Sequence, residues 1–176
     1  MCPSFVAIRR DIRGSATLTV VLYPGSFDPV HNGHLEIVEI AARLFDKVVV
    51  AAMRNPQKGE PMFDLEERKE ILVESVAHLD NVRITQFSTL VVDLAKEVGA
   101  DFIIKGLRAV SDFESEMHQA HMNHAISGVH TVFIPSSSTH SFVASKLIRE
   151  IARFGGDVSS MVPPPVAKRV AERYST

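Results

Sequence analysis

The chain has 176 residues, 45% of them hydrophobic and 23% charged, which is the make-up of one globular domain and not of a disordered or collagen-like chain. With 19 basic against 21 acidic side chains, a formal net charge of −2, no Trp and only two Tyr, it argues against a protein built to wrap or stack nucleic acid. The single cysteine, Cys2, allows no internal disulfide, and no apolar run approaches the roughly 18 residues of a membrane span, so a soluble cytoplasmic protein is expected.

Residues 1–18 are expected to be a flexible extension ahead of one domain over residues 19–176. Leu18 to Tyr23 (LTVVLY) predicts the first strand, followed by the turn Pro24 to Pro29. From Gly33 onward Leu35, Val38, Ala42 and Phe45 recur at helical steps. Lys47 to Met53 is a continuous apolar run, as expected of a strand covered on both faces, and Arg54 to Phe63 is a loop broken by Pro56, Gly59 and Pro61. Asp64 with Glu67 forms a capping box for a helix ending near His78. Val82 to Gln86 is the third strand, and Leu90 to Val98 a helix stopped by Gly99. Asp101 to Ile104 is the fourth strand, Ser111 to Ile126 a long helix and Thr131 to Ile134 the fifth strand. A helix near Ser141 to Phe154 and a terminal helix through Val166 to Arg173 complete the chain.

This alternation predicts an α/β fold with a five-stranded parallel sheet and helices on both faces; taken as the nucleotide-binding version of such a sheet, with the first strand in the middle, it is a single Rossmann-like domain of order 3-2-1-4-5. Ligands of such sheets sit beyond the carboxyl ends of the strands, where the winding reverses. The loops after Tyr23 and Ile104 should therefore face one crevice.

Gly25-Ser26-Phe27-Asp28-Pro29-Val30-His31-Asn32-Gly33-His34 lies at that place. Gly25 lets the chain turn sharply, Gly33 leaves room for a phosphate, and the N–H groups of the helix start favour an anion. His31 and His34 share one side of the first turn. Taken alone, a His-x-Gly-His string is more often a tight turn with solvated cap histidines; the Gly-Ser-Phe-Asp-Pro prefix and the position between strand and helix make it specific.

The string resembles the signature of the nucleotidylyltransferase superfamily. Asn55-Pro56-Gln57-Lys58, Pro61-Met62-Phe63, Leu65-Glu66-Glu67-Arg68, Lys105-Gly106-Leu107-Arg108, Asp112-Phe113-Glu114, Glu116-Met117 and Met122-Asn123 narrow the resemblance to bacterial phosphopantetheine adenylyltransferases, from about Thr19 to the terminal helix. The resemblance implies transfer of the adenylyl group of ATP to 4′-phosphopantetheine, giving dephospho-coenzyme A and pyrophosphate. A phosphate monoester has a second pKa of about 6, so the attacker is already largely dianionic and needs no protein general base. Alignment and charge stabilisation are the tasks left to the protein.

Residue by residue, the resemblance implies that His34 stabilises the transition state at the α-phosphate. Ser26 and Phe27 hold ATP, with Ser26 also near the acceptor. Lys58 and Lys105 meet the acceptor phosphate, Lys58 counted with His34 in catalysis; many family members have arginine at the position of Lys105. Gly106, Leu107, Arg108 and Glu116 contact ATP, and Val91 beside Leu90 lines the pantetheine arm. The stretch His140, Ser141, Phe142, Val143, Ala144, Ser145 and Lys146 receives the β- and γ-phosphates; Ala144 and Lys146 stand where the family has serines, which leaves the side-chain role there open between surviving backbone donors and charge from Lys146. Mg²⁺ is expected with ATP, and a homo-oligomer, typically a hexamer, is implied.

Without the resemblance, Lys58 reads as a solvated loop lysine, Glu116 as a solvated helix acid, and Leu90 and Val91 as core. His118, His121, His124 and His130 invite a metal reading, but steps of three turn side chains by about 60° each, so surface or interface histidines fit better. Other readings are a transferase of the same superfamily acting on nicotinamide mononucleotide or a polyol phosphate, and a nucleotide sensor without turnover.

Overall fold

The computed structural model describes residues 18–54, 59–108 and 110–174. The expected extension over residues 1–18 lies, apart from the exposed Leu18, outside the described residues.

The β-branched runs form five strands, β1 Val20–Gly25, β2 Lys47–Met53, β3 Val82–Phe87, β4 Phe102–Leu107 and β5 His130–Pro135. They make one sheet in the order β3-β2-β1-β4-β5, every pair parallel, as expected of the nucleotide-binding version of such a sheet. Helices α1 Asn32–Leu44, α2 Leu65–Ser75, α3 Val91–Glu97, α4 Val110–Ser127, α5 Ser145–Arg153 and α6 Pro164–Tyr174 cover it. Ile37, Val38 and Ala41 of α1 bury with Ile71 and Leu72 of α2, Ile148 of α5 and Val166 and Val170 of α6 against Val21, Tyr23 and Ile104. Val92, Leu94 and Ala95 of α3 bury against Leu22, Val49 and Ile103 on the other face. Neighbours along a strand go to opposite faces, so Leu22 and Tyr23, or Ile103 and Ile104, divide between the two cores.

The amino-terminal edge is closed by side chains. The Val20 N–H donates to Asp101 Oδ2 at 2.8 Å and the Thr19 N–H to Asp46 Oδ2 at 2.7 Å. Asn81 caps the last turn of α1, donating to the carbonyls of Ala42 and Phe45. The Asp64–Glu67 capping box that starts α2 is formed, with both bonds at 2.8 Å.

Two boundaries differ from the sequence expectation in ways that matter for function. β4 does not end at Ile104: Lys105, Gly106 and Leu107 continue it, registered against Phe133, Ile134 and Pro135 of β5. Gly106 makes this possible, because a Cβ there would sit 3.0 Å from Cγ1 of the buried Ile37. The helix expected from Ser141 begins at Ser145, because the backbone turns His140 N–H to Ser137 O and Val143 N–H to His140 O occupy the preceding segment.

Candidate active site

The turn after β1 is shaped by its own residues. Phe27 has φ 47, and its ring folds back so closely that a Cβ on Gly25 would lie 2.8 Å from Phe27 Cζ. That ring meets Tyr23 edge-on at 5.4 Å and His34 at 5.0 Å between centroids. The Asp28–Pro29 peptide is cis.

A buried network holds this turn. Arg68, 3% exposed, donates to the carbonyls of Phe63 at 2.8 Å, Ser26 at 2.9 Å and Met53 at 3.1 Å. The Asp28 carboxylate accepts from the N–H groups of Met62 and Phe63 at 3.1 and 3.0 Å, and lies 3.9 Å from Arg68 Nε and 3.6 Å from Arg149 Nη1. Arg149 also donates to the Asp28 carbonyl. One guanidinium thus joins the turn to the last residue of β2 and to the entry of α2. Sequence pattern assigns no role to Asp28, Arg68 or Arg149, although Arg68 sits in a stretch that the family resemblance singles out.

His31 is the N-cap of α1 and stacks on His34, with centroids 3.6 Å apart and planes at 21°. The His31 N–H donates to His34 Nδ1 at 3.3 Å. A backbone N–H can only donate, so Nδ1 is the acceptor and the proton of the neutral imidazole sits on Nε2, as assigned from this bond. His34 is thereby set as an Nε2–H donor at a helix start.

His31 itself is 2% exposed, and its Nδ1 is buried with no hydrogen-bond partner among the described residues. Burial above all, then the charges of Arg108 and His140, pushes its pKa down from 6.5 to about 4. Between those values the unfolded chain binds a proton that the folded chain refuses, so stability rises with pH through this window, is complete above 6.5 and is lost as pH falls toward 4. Wild-type protein is therefore expected to lose about 2 kcal/mol more than His31→Asn between pH 7 and pH 4.5 in urea titrations, since each tenfold difference in proton affinity between the folded and unfolded chain is worth about 1.4 kcal/mol. Equal losses in the two proteins would contradict this.

The loop after β5 is tied to α1 and β4. Glu36 accepts from the Ser137 N–H at 3.2 Å and pairs with His140 Nδ1 at 3.2 Å. Partial burial would raise the Glu36 pKa, but the hydrogen bonds from Ser137 and His140 outweigh it and hold it below the usual value. The Ser136 N–H and hydroxyl both reach the Leu107 carbonyl, Arg108 Nη1 donates to the Val143 carbonyl at 3.2 Å, and Ser145 Oγ donates to the Pro29 carbonyl at 3.0 Å. Ala144, the N-cap of α5, makes no side-chain cap bond, which leaves backbone donors to define that helix start. Lys146 is exposed on its first turn, Phe142 is 67% exposed, and the Val143 side chain is buried in the core, so only its backbone borders the loop. Ser141 Oγ is turned back onto the Ser138 carbonyl.

On the other side of the β1–β4 junction, Lys105 Nζ donates to Gln119 Oε1 at 2.8 Å and lies 3.2 Å from Glu116 Oε2. The expected ATP-contacting Glu116 is thus paired with the lysine expected to meet the acceptor. Val91, partly buried, packs against the core on the face of Leu22 and Ile103, while Leu90 is 62% exposed. Lys58 lies outside the described residues. His34 rises from the α1 face and Lys105 alternates to the face of Ile103, both at the carboxyl end of the adjacent strands β1 and β4. Tyr23 stands at that edge: burial raises its pKa, with Arg108 and Glu116 acting on it in opposite directions. The arrangement offers an anion cradle with an imidazole donor on one side and a tethered cation on the other.

Comparison with known proteins shows the family to which this fold belongs. The cytidylyltransferase-like family model matches residues 22–151. The chain is 48% identical over 158 residues to the phosphopantetheine adenylyltransferase of Heliobacterium modesticaldum, covering 89% of this chain and 94% of that protein. It is 52% identical to the one from Synechococcus sp. RCC307, covering 83% and 88%. In fold it is similar to a Vibrio parahaemolyticus structure assigned as a nicotinate-nucleotide adenylyltransferase, with TM-score 0.66 and 16% identity over 89% of this chain and 93% of that one. With a family model over most of its length and relatives near half identity over most of both chains, the chain belongs to the phosphopantetheine adenylyltransferase family of cytidylyltransferase-like proteins.

Proposed function

We propose that this protein transfers the adenylyl group of ATP to the phosphate of 4′-phosphopantetheine, releasing pyrophosphate and forming dephospho-coenzyme A. The observation that supports the reading is that β1 and β4 are parallel neighbours, so the turn that sets His34 as an Nε2–H donor and the strand that carries the Lys105 ammonium leave the same end of the sheet.

The α-phosphate of ATP rests against the start of α1, where Ser26, Phe27 and His34 border it. The β- and γ-phosphates extend toward Arg108 and the start of α5, with His140, Ser141, Ala144, Ser145 and Lys146 around them. Gly106, Leu107 and Glu116 border the nucleotide from β4 and α4. Mg²⁺ enters as part of the nucleotide, and the residues assigned to the triphosphate are backbone donors and cations. The acceptor phosphate meets Lys105 and Lys58, with its pantetheine arm along Val91. One phosphate oxygen attacks the α-phosphorus while the bond to the β-phosphate oxygen breaks, and His34 donates a hydrogen bond to the charge that builds between them.

The reading includes a cytoplasmic location and an assembly of copies, a hexamer as the family resemblance implies. Exposed Met122 and Ile126 on α4 offer apolar surface for such contact, and no helix among the described residues is long and apolar enough to cross a membrane. Pyrophosphate release from Mg-ATP, measured with 4′-phosphopantetheine, nicotinamide mononucleotide or glycerol 3-phosphate, tests the function. Turnover with the first alone is expected. Tight ATP binding without turnover on any acceptor would replace the enzyme with a sensor.

A further inference from the structure

Lys105 is not left to find its anion unaided. Its ammonium is shared between two residues of α4, Gln119 and Glu116, which are three apart and so face the same way. The two partners do different work. The Glu116 carboxylate competes for the ammonium with any phosphate that arrives, since both are anions. The Gln119 amide oxygen takes one N–H without neutralising the charge, so it can stay bonded while a phosphate uses another of the three donors. Orientation is what a lysine needs here: it carries a point charge on a flexible four-carbon stem, whereas an arginine fork is pre-organised.

We propose that Gln119 is a positioning residue for the acceptor, holding the Lys105 ammonium where the phosphate of an incoming phosphomonoester meets it. The inference rests on the reading of Lys105 as the acceptor-phosphate cation. Gln119 is on the exposed side of α4, so its removal leaves both cores intact.

The test is a double-mutant cycle in steady-state kinetics with Mg-ATP and 4′-phosphopantetheine. Gln119→Leu is expected to raise the KM for the acceptor about 5-fold, the loss of part of a charge-assisted hydrogen bond, with kcat and the KM for ATP within about 2-fold and the melting temperature unchanged. In a Lys105→Arg background the same substitution should move the acceptor KM by less than about 2-fold, because the fork needs no tether. An unchanged acceptor KM in Gln119→Leu, or an equal penalty in both backgrounds, overturns the inference alone. A wild-type protein that neither binds nor adenylylates phosphopantetheine overturns the functional reading and this inference with it.

Discussion

His34→Ala is expected to lower kcat by about 10²–10³-fold, the usual cost of losing one donor aimed at charge that develops in the transition state. The KM for ATP should change much less, because the ring contributes most when charge moves onto the α-phosphate oxygens and only weakly to the bound ground state. The geometry gives the substitution a second consequence. Nδ1 accepts from the His31 N–H, so alanine removes both the donor and the acceptor that caps that amide. His34→Gln separates these effects: its side-chain N–H can approach the place of Nε2, so it should retain more kcat than alanine. Lys146→Ser, which removes an exposed charge beside the triphosphate loop, should shift the KM for ATP by a smaller factor than His34→Ala shifts kcat. Single-turnover adenylyl transfer with saturating substrates reads the chemical step directly. A loss in His34→Ala that appears wholly in KM would mean the imidazole binds nucleotide without favouring the transition state.

How His34 reaches that position is legible in the amino-acid pattern. Hydrophobic period and turn residues foretell the alternating strands and helices, and the order that nucleotide-binding sheets of this kind adopt places the Gly25–His34 turn beside the end of β4. The tautomer is not legible there, since it depends on one backbone N–H folding back three residues to Nδ1. The continuation of β4 through Leu107 is equally hidden, because Lys105-Gly106-Leu107 has neither apolar run nor alternation and owes its strand state to pairing with β5. The stretch Ser141 to Ala144 has helix-like composition but is taken up by turns that bond it backward to Ser138 and His140. The Asp28–Arg68–Arg149 network is the clearest case of what local pattern omits. Arg68 reaches a carbonyl 42 residues away and Arg149 one 121 residues away, and nothing in the spacing of an arginine on a capped helix marks it as buried.

Arg68→Leu should destabilise the fold by about 3–5 kcal/mol, the cost of removing one partner from a buried ion pair. Three carbonyls, of Ser26, Met53 and Phe63, would lose a donor inside the protein, and the Asp28 carboxylate would lose one of its two cations. Arg68→Lys keeps the charge, but one ammonium lacks the planar reach to span acceptors on three separate segments, so it should recover only part of the loss. Asp28→Asn should cost less than Arg68→Leu, because its amide oxygen can still accept from Met62 or Phe63 while the buried charge is gone. Combining Asp28→Asn with Arg68→Leu should then cost less than the sum of the two, since removing the carboxylate removes the charge that the arginine offsets. Urea titrations of the four proteins at pH 7 measure that coupling. The same network carries the Ser26 backbone that borders the α-phosphate, so Arg68→Lys should also lose kcat at temperatures well below its melting point. An Arg68→Leu protein within about 1 kcal/mol of wild type would show instead that water replaces the guanidinium, and that Phe27 and the close packing around Gly25 alone hold the turn.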